Sequence, residues 1–296
     1  MPSSVTYAIP FYTGVSYLAR ALRSIVAQTD DRWEAVVCDD GSEPGVEQIV
    51  RSFGNGRVRY EKNARNLGIA GNFNRCIDVA TTELSVVLHQ DDELTPNYTG
   101  TMLAAAERHP NAAAFFCRTQ IIDENGDPRF SLTDAVKEVL IHPAPGKEIV
   151  LAGEPGVRTL LKGNFIMAPT LCFRKRVLGA RRFPTGFKFL MDLELTTRLF
   201  LEGEHLVGVP DRCYRYRRHE ENATSKYTRT QLRFREESEY YDRMKAICAE
   251  RGWDECVRLA TQKRMVKLNI TYRALKSAAL LDFGEARRGF RMLREL

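Results

Sequence analysis

Four short clusters carry the side chains with the most chemical reach. Residues 38–42 read Cys-Asp-Asp-Gly-Ser. A carboxylate there can accept a hydrogen bond from a ligand N–H, and the Gly-Ser pair permits a tight turn. Residues 89–93 read His-Gln-Asp-Asp-Glu. Three consecutive acids beside an apolar strand are costly without a counter-charge. A hard divalent cation, Mn²⁺ or Mg²⁺, with a substrate diphosphate completing its shell, would supply one. Residues 191–194 read Met-Asp-Leu-Glu at the start of a helical pattern, where Asp192 could act as a general base if it faces a pocket. Tyr216-Arg217-Arg218-His219 follows a strand, and its cations could bind phosphate oxygens or a metal. Taken singly, each cluster also reads as ordinary structure: a turn, a solvated acidic loop, a first-turn acid favoured by the helix dipole, a basic strand end.

The elements that must position these clusters alternate through the first half. Apolar runs at residues 5–9, 34–38, 58–60, 84–88 and 112–117 predict strands, the first ended by Pro10. Helical spacing appears at Val15, Leu18, Leu22, Ile25 and Val26, again over 45–53 and 71–80, and from Pro96 onward. This rhythm predicts an α/β fold with a mostly parallel central sheet covered by helices on both faces. In such sheets ligands bind beyond the carboxyl ends of the strands, which is where Asp39-Asp40 and Asp91-Asp92 fall. Residues 123–155, rich in Pro, Gly and charge, read as an irregular crossing. A strand at 170–173, a helix at 192–202 and strands at 206–209 and 213–217 follow, then two or three amphipathic helices to the end.

Composition narrows the class. The 296 residues are 44% hydrophobic and 28% charged, enough to bury a large core and incompatible with a disordered or low-complexity chain. No apolar run is long enough for a transmembrane helix, and the first residues lack the pattern of a signal peptide. Seven scattered cysteines without a C-x-x-C pair argue for reduced, buried thiols in a cytoplasmic protein rather than zinc or disulfides. The net charge of +6 is uneven: residues 226–296 hold 17 Lys and Arg against 10 Asp and Glu. Such a segment suits either peripheral contact with the inner membrane face or cover and dimerisation. No nucleic-acid motif accompanies it.

The order of the clusters adds what no single one supplies. The chain resembles family 2 glycosyltransferases of the GT-A fold. Residues 5–42 resemble that family's opening: strand, Pro-x-Tyr turn, helix ending S-I-x-x-Q-T, second strand and D-D-G-S. Residues 62–80 resemble its N-x-G and following helix, and residues 86–97 its metal-binding D-x-D region. Residues 186–203 resemble its acceptor-side helix with an acidic base, and residues 213–225 its Y-R-x-H segment. The resemblance implies a GT-A domain over 1–225, with a nucleotide-sugar half to about residue 120 and an acceptor half after it, and a basic helical extension over 226–296.

It also implies roles. Pro10 and Tyr12 would line the nucleotide base, Asp40 would bond its N–H, and Arg65 and Asn66 would lie near base and ribose. Asp91 would approach the ribose and donor sugar. Asp92 would coordinate the divalent metal, with His219 completing the metal or diphosphate site. Asp192 would be the base, Arg198 would position its helix, and Glu194 is the reserve base. The sequence departs from the pattern at His89, which stands where many relatives carry the first acid of D-x-D. It departs again at Met191, and at Phe11, expected to narrow the base pocket. The implied reaction is inverting transfer of a sugar from a nucleotide-diphosphate donor to a hydroxyl on a glycan, lipid-linked or small-molecule acceptor. The alternatives are a nucleotidyltransferase, disfavoured by the lack of a Gly-rich phosphate loop, and a non-catalytic binding protein with a basic tail.

Overall fold

The computed structural model describes residues 4–41, 43–54, 56–130, 146–219, 227–228 and 230–296. Ser42 and the expected site-closing residues 220–225 lie outside them, as does much of the crossing expected at 123–155.

Near-continuous apolar runs form the strands of the first half: β1 (Val5–Phe11), β2 (Trp33–Asp39), β3 (Val58–Lys62) and β4 (Leu84–Val87). Every residue of β1 and β4 is buried, as strands covered on both faces require. These four strands are parallel, with β1 between β2 and β4; Val5 aligns with Trp33 on one side and Leu84 on the other. Pro10 does not end β1 as expected but pairs with Cys38. The β4 ladder stops at Ala8–Val87, so Pro10 has a strand on one side only and its missing N–H breaks no second ladder.

The rest of the sheet comprises β5 (Glu93–Leu94), β6 (Ala114–Ile122), β7 (Ile149–Ala152), β8 (Cys172–Arg174) and β9 (His205–Arg217). The order is β3-β2-β1-β4-β8-β6-β9-β5, with β7 also on β9. This half is mixed: β6 and β9 are parallel, whereas the β4–β8, β6–β8, β5–β9 and β7–β9 pairs are antiparallel. The two strands expected at 206–209 and 213–217 are one. Its exposed Asp211-Arg212 interrupts the apolar pattern, and its register with β6 shifts there without breaking the strand.

Helices cover both faces. On one, α1 (Val15–Val26) presents Leu18, Leu22 and Ile25 at i, i+4, i+7 to Tyr7, Ile9 and Phe11, joined by α2 (Val46–Ser52) and α4 (Tyr98–Arg108). The other carries α3 (Gly68–Val79), α5 (Gly153–Lys162), the short α6 (Lys175–Leu178) and α7 (Met191–Leu201). The helices after residue 226 belong to this second core: Tyr240, Met244, Val266 and Ile270 join Leu195, Leu199 and Phe200 in one apolar cluster.

Among its described residues from 232 on, that terminal segment forms four helices rather than two or three: α8 (Leu232–Glu250), α9 (Asp254–Gln262), α10 (Arg264–Ala279) and α11 (Phe283–Glu295). The break between α9 and α10 falls at Lys263, in the left-handed region at φ 47°, a costly conformation for a side chain with a Cβ. Its ammonium donates at 2.8 Å to both Ser238 Oγ and Asp242 Oδ2 of α8, which holds the turn in place.

The site-bearing edge depends on close approach of β1 and β2. Asp40 N donates to Phe11 O, and a Cβ on Gly41 would collide with the Tyr12 backbone carbonyl. Gly41→Ala is therefore expected to cost about 1–3 kcal/mol, because the obstacle is main chain and cannot rotate away. Urea unfolding of wild type and variant measures it; equal midpoints would show that the two loops part freely.

Candidate active site

The acid cluster sits in the turn from β4 to β5. Asp92 is almost wholly buried; its Oδ2 accepts from the Tyr214 hydroxyl at 2.9 Å and its Oδ1 from the Arg217 amide at 2.7 Å. Burial, and then the neighbouring charge of Asp91, push its carboxyl well above the usual range. Asp91 is more open and meets His219 Nε2 at 2.9 Å. Burial alone would raise its pKa, but the His219 bond and the charges of His89 and His219 outweigh it and hold the carboxyl below the usual range.

His89 lies against Phe73, ring centroids 5.2 Å apart, with Nδ1 3.9 Å from Asp92 Oδ2. One ligand atom each from His89, Asp91 and Asp92 lies within 4.8 Å of the others. This set of hard oxygens and one imidazole nitrogen fits Mn²⁺ or Mg²⁺, and a buried carboxylate beside a half-buried one calls for such a charge. The residue at the departure from D-x-D is thus in the group that could hold a metal ion, and His219 bonds Asp91 of that group.

Arg217 does not face phosphate. Its side chain is buried: Nε donates to Asp91 O at 2.8 Å, Nη1 to Asp123 O at 2.7 Å and Glu124 O at 3.0 Å, and Nη2 pairs with Glu93. Tyr17 of α1 lies under both this guanidinium and the His219 ring, each 5.3 Å from its centroid. Gln90 ties the turn to the loop after β1, accepting from Tyr12 N at 3.1 Å and donating to Thr13 O.

On the β2 side, Asp40 accepts from Asn63 Nδ2 at 2.8 Å, Leu67 N at 2.8 Å and Gly68 N at 3.0 Å. It thereby fixes the loop before α3 and, among the described residues, leaves about one of its four lone-pair positions unused. Asn66 bonds back to Asp40 O at 3.0 Å, and Arg65 is exposed at the loop tip. Tyr12 is 60% exposed at the same edge, whereas Pro10 is buried in β1. Phe11 does not narrow a base pocket: it is buried in the core beneath α1, because alternate residues of a strand face opposite ways.

A cleft of about 1180 Å³ runs from this cluster to α7; His89, His219, Arg218 and Asp192 all line it. Asp192 occupies the first turn of α7. Burial pushes its carboxyl up to about 6, against a smaller opposite pull from the Asp192 and Leu193 amides. Glu194, the reserve base, turns elsewhere: it lies between Arg198 at 3.7 Å and Arg243 at 3.6 Å. Arg198 donates to Arg182 O, anchoring α7 to the preceding segment.

The family model for Glycosyl transferase family 2 matches residues 6–177, more than half of the chain. The chain belongs to this family. The match includes Asp40, Asp91 and Asp92 and ends before Asp192. An uncharacterised protein of Mycobacterium tuberculosis is 29% identical over 201 residues, covering 67% of this chain and 62% of that one. Glycosyltransferase GlyG of Streptococcus pneumoniae is 24% identical, covering 74% and 72%. The chain thus spans about three-fifths to three-quarters of these relatives' length. Among solved structures, Staphylococcus aureus TarS (residues 1–349) in complex with UDP-GlcNAc aligns with a TM-score of 0.63 at 15% identity, covering 99% of this chain and 92% of that one. The UDP complex aligns with a TM-score of 0.58 at 18% identity, covering 83% and 65%. The fold is therefore GT-A, with C-terminal helices present.

In this family 2 glycosyltransferase, one residue that holds the Asp192 segment gave no signal in the sequence. Glu236 of α8 is buried, and its carboxylate accepts from Lys188 N at 2.8 Å, Phe189 N at 2.7 Å and Leu190 N at 3.2 Å, the three amides leading into α7. An acid amid the charged run of α8 looks like a solvated face. Glu236→Ala leaves those amides without an acceptor, an expected loss of about 2–4 kcal/mol. As a positioning residue it should also lower kcat more than it weakens donor binding. Unfolding midpoints with steady-state kinetics test both; normal kcat in folded variant would remove Glu236 from the site.

Proposed function

We propose that this enzyme transfers a sugar from a nucleoside-diphosphate donor to an acceptor hydroxyl with inversion at the anomeric carbon, using Asp192 as general base. The observation that carries this reading is a carboxylate of raised pKa lining a cleft that is also lined by His89, one member of a His/Asp/Asp cluster able to hold a divalent cation. The UDP and UDP-GlcNAc complexes of TarS support a uridine diphosphate donor.

Asp40 accepts the base N–H with its remaining lone pair, and Tyr12, Arg65 and Asn66 surround base and ribose. Pro10 contributes as buried backing for Tyr12. Asp91 and His89 are the open ligands for Mn²⁺ or Mg²⁺, with Asp92 behind them. We assign Asp91 ahead of Asp92 because both Asp92 oxygens already accept hydrogen bonds in a buried setting. His219 orients Asp91 through their hydrogen bond. When bound, the cation neutralises charge on the departing diphosphate. Asp192 removes the acceptor hydroxyl proton; the oxygen forms a bond to the anomeric carbon as the bond to the diphosphate oxygen on the opposite face breaks. No covalent sugar–enzyme intermediate is needed.

Asp192→Asn should lower kcat by about 10²–10⁴-fold while UDP binding persists, since it removes only the proton acceptor. Near-normal turnover would refute the assignment. In wild type, kcat/KM should fall about tenfold per pH unit below about 6, where Asp192 takes up its proton. The sign for stability is opposite. The folded carboxyl titrates above its unfolded value near 4, so its favourable contribution exists below that value and is lost as pH rises through 6. Asp192→Asn should accordingly raise Tm at pH 7.5; a lower Tm would mean that the ionised carboxylate has a stabilising partner.

Asp91→Asn should abolish the Mn²⁺-dependent part of a UDP-induced rise in Tm, whereas a metal-dependent shift that survives would move the ligand role to another residue.

A further inference from the structure

The cleft carries more positive charge than a donor diphosphate requires. Arg129, Lys188, Arg218, Arg233, Arg273 and Lys276 line it, against Glu124, Asp192 and Glu237. Three of these cations come from the terminal helices. Arg233 of α8 stacks over Phe189 at 5.0 Å, three residues ahead of Asp192, and bonds Glu237 at 2.8 Å. On α10, Met265, Asn269, Arg273 and Lys276 follow at spacings of four, four and three and present one face to the cleft. Arg273 is half-buried and has no hydrogen bond or ion pair among the described residues. Burial holds its pKa down; the field of Glu285 opposes this, and the smaller effect of the Arg233 charge adds to it. Two like charges in one partly desolvated wall, one without a carboxylate partner, are costly until an anion arrives.

We propose that this wall is an acceptor subsite for a phosphate group, centred on Arg273 with Arg233 and Lys276 beside it, so that the acceptor is a phosphate-bearing molecule whose hydroxyl reaches Asp192. The inference rests on the transferase reading for the identity of the acceptor, but the subsite itself is independent of the donor. A planar guanidinium suits phosphate oxygens in pairs, and the neighbouring lysine adds a point charge. Leu268, Tyr272 and Leu275 run beside the cationic face on the same helix, each more than half exposed. The phosphate could thus come from a lipid-linked carrier lying along that stripe or from a soluble phosphorylated glycan.

The test titrates inorganic phosphate and n-dodecyl phosphate into the full chain saturated with UDP and Mn²⁺, which blocks the donor site. Saturable phosphate binding is expected, weakened by about tenfold or more in Arg273→Gln and less in Lys276→Gln, with UDP affinity unchanged in both. No binding to the UDP-loaded chain, or equal binding by Arg273→Gln, would overturn the proposal. Tighter binding of dodecyl phosphate, lost in Leu268→Ser with Leu275→Ser, identifies a lipid-linked source; equal affinity for the two probes identifies a soluble one. Should UDP itself fail to bind, the donor reading falls, and the same comparison on the unloaded chain still decides the phosphate subsite.

Discussion

Arg217 reaches the backbone carbonyls of Asp91, Asp123 and Glu124 and the carboxylate of Glu93, while its own amide donates to Asp92. One buried guanidinium at the end of β9 therefore joins the acidic turn, the end of β6 and the chain leading to His219. A buried guanidinium is costly unless its donors are satisfied, and here carbonyls and a carboxylate satisfy them in a fixed planar fork. With Asp92 locked by Tyr214 and this strand end, the adjacent Asp91 can be both partly open and rigidly aimed. Two neighbouring acids thus divide the work: one is structural because it is buried and bonded, the other is available because the first holds the turn.

The terminal helices extend the same logic to the other side of the cleft. They share an apolar core with α7, supply Glu236 to the amides before Asp192, and line the cleft with Arg233 and Arg273. A segment that buries Tyr240 beneath α7, its hydroxyl 2.6 Å from Thr197 Oγ1, is part of the scaffold that sets Asp192. Part of its excess charge then has a location, since Arg233, Arg273 and Lys276 line the cavity while Arg235, Arg243, Lys245 and Arg264 face solvent.

The first half of the fold was legible because strands buried on both faces leave continuous apolar runs and because Asp39-Asp40 and Asp91-Asp92 fall where those runs end. What failed to show was tertiary. Antiparallel β7 and helix α5 lie in a stretch whose Pro, Gly and charge resemble a loop, and the α9–α10 break depends on a lysine held in a left-handed turn by Asp242. Residue types in the site were readable, but their orientation was not. His89 stands where many relatives carry an acid and joins the cluster; Arg217 read equally as a phosphate or metal binder and as a basic strand end, and is buried; Phe11 looked like a pocket wall and faces the core. Each case turns on which way a side chain points, set here by strand parity and by partners a hundred residues distant.

Asp192 shows why such a site needs its surroundings. At the first turn of a helix the dipole favours the charged carboxylate, and burial disfavours it; here burial wins, leaving the group near pH 6 instead of near 4. A base with that pKa is still mostly ionised at neutral pH, yet binds a proton far more strongly than an exposed aspartate. The cost is borne by the fold, through the Glu236 bonds that hold the preceding amides and the packing of α8 on α7. A carboxylate raised in this way, facing a cleft with cations along its opposite reaches, has the properties that the proposed proton-acceptor role requires. That separates it from Glu194 two residues on, which lies between Arg198 and Arg243.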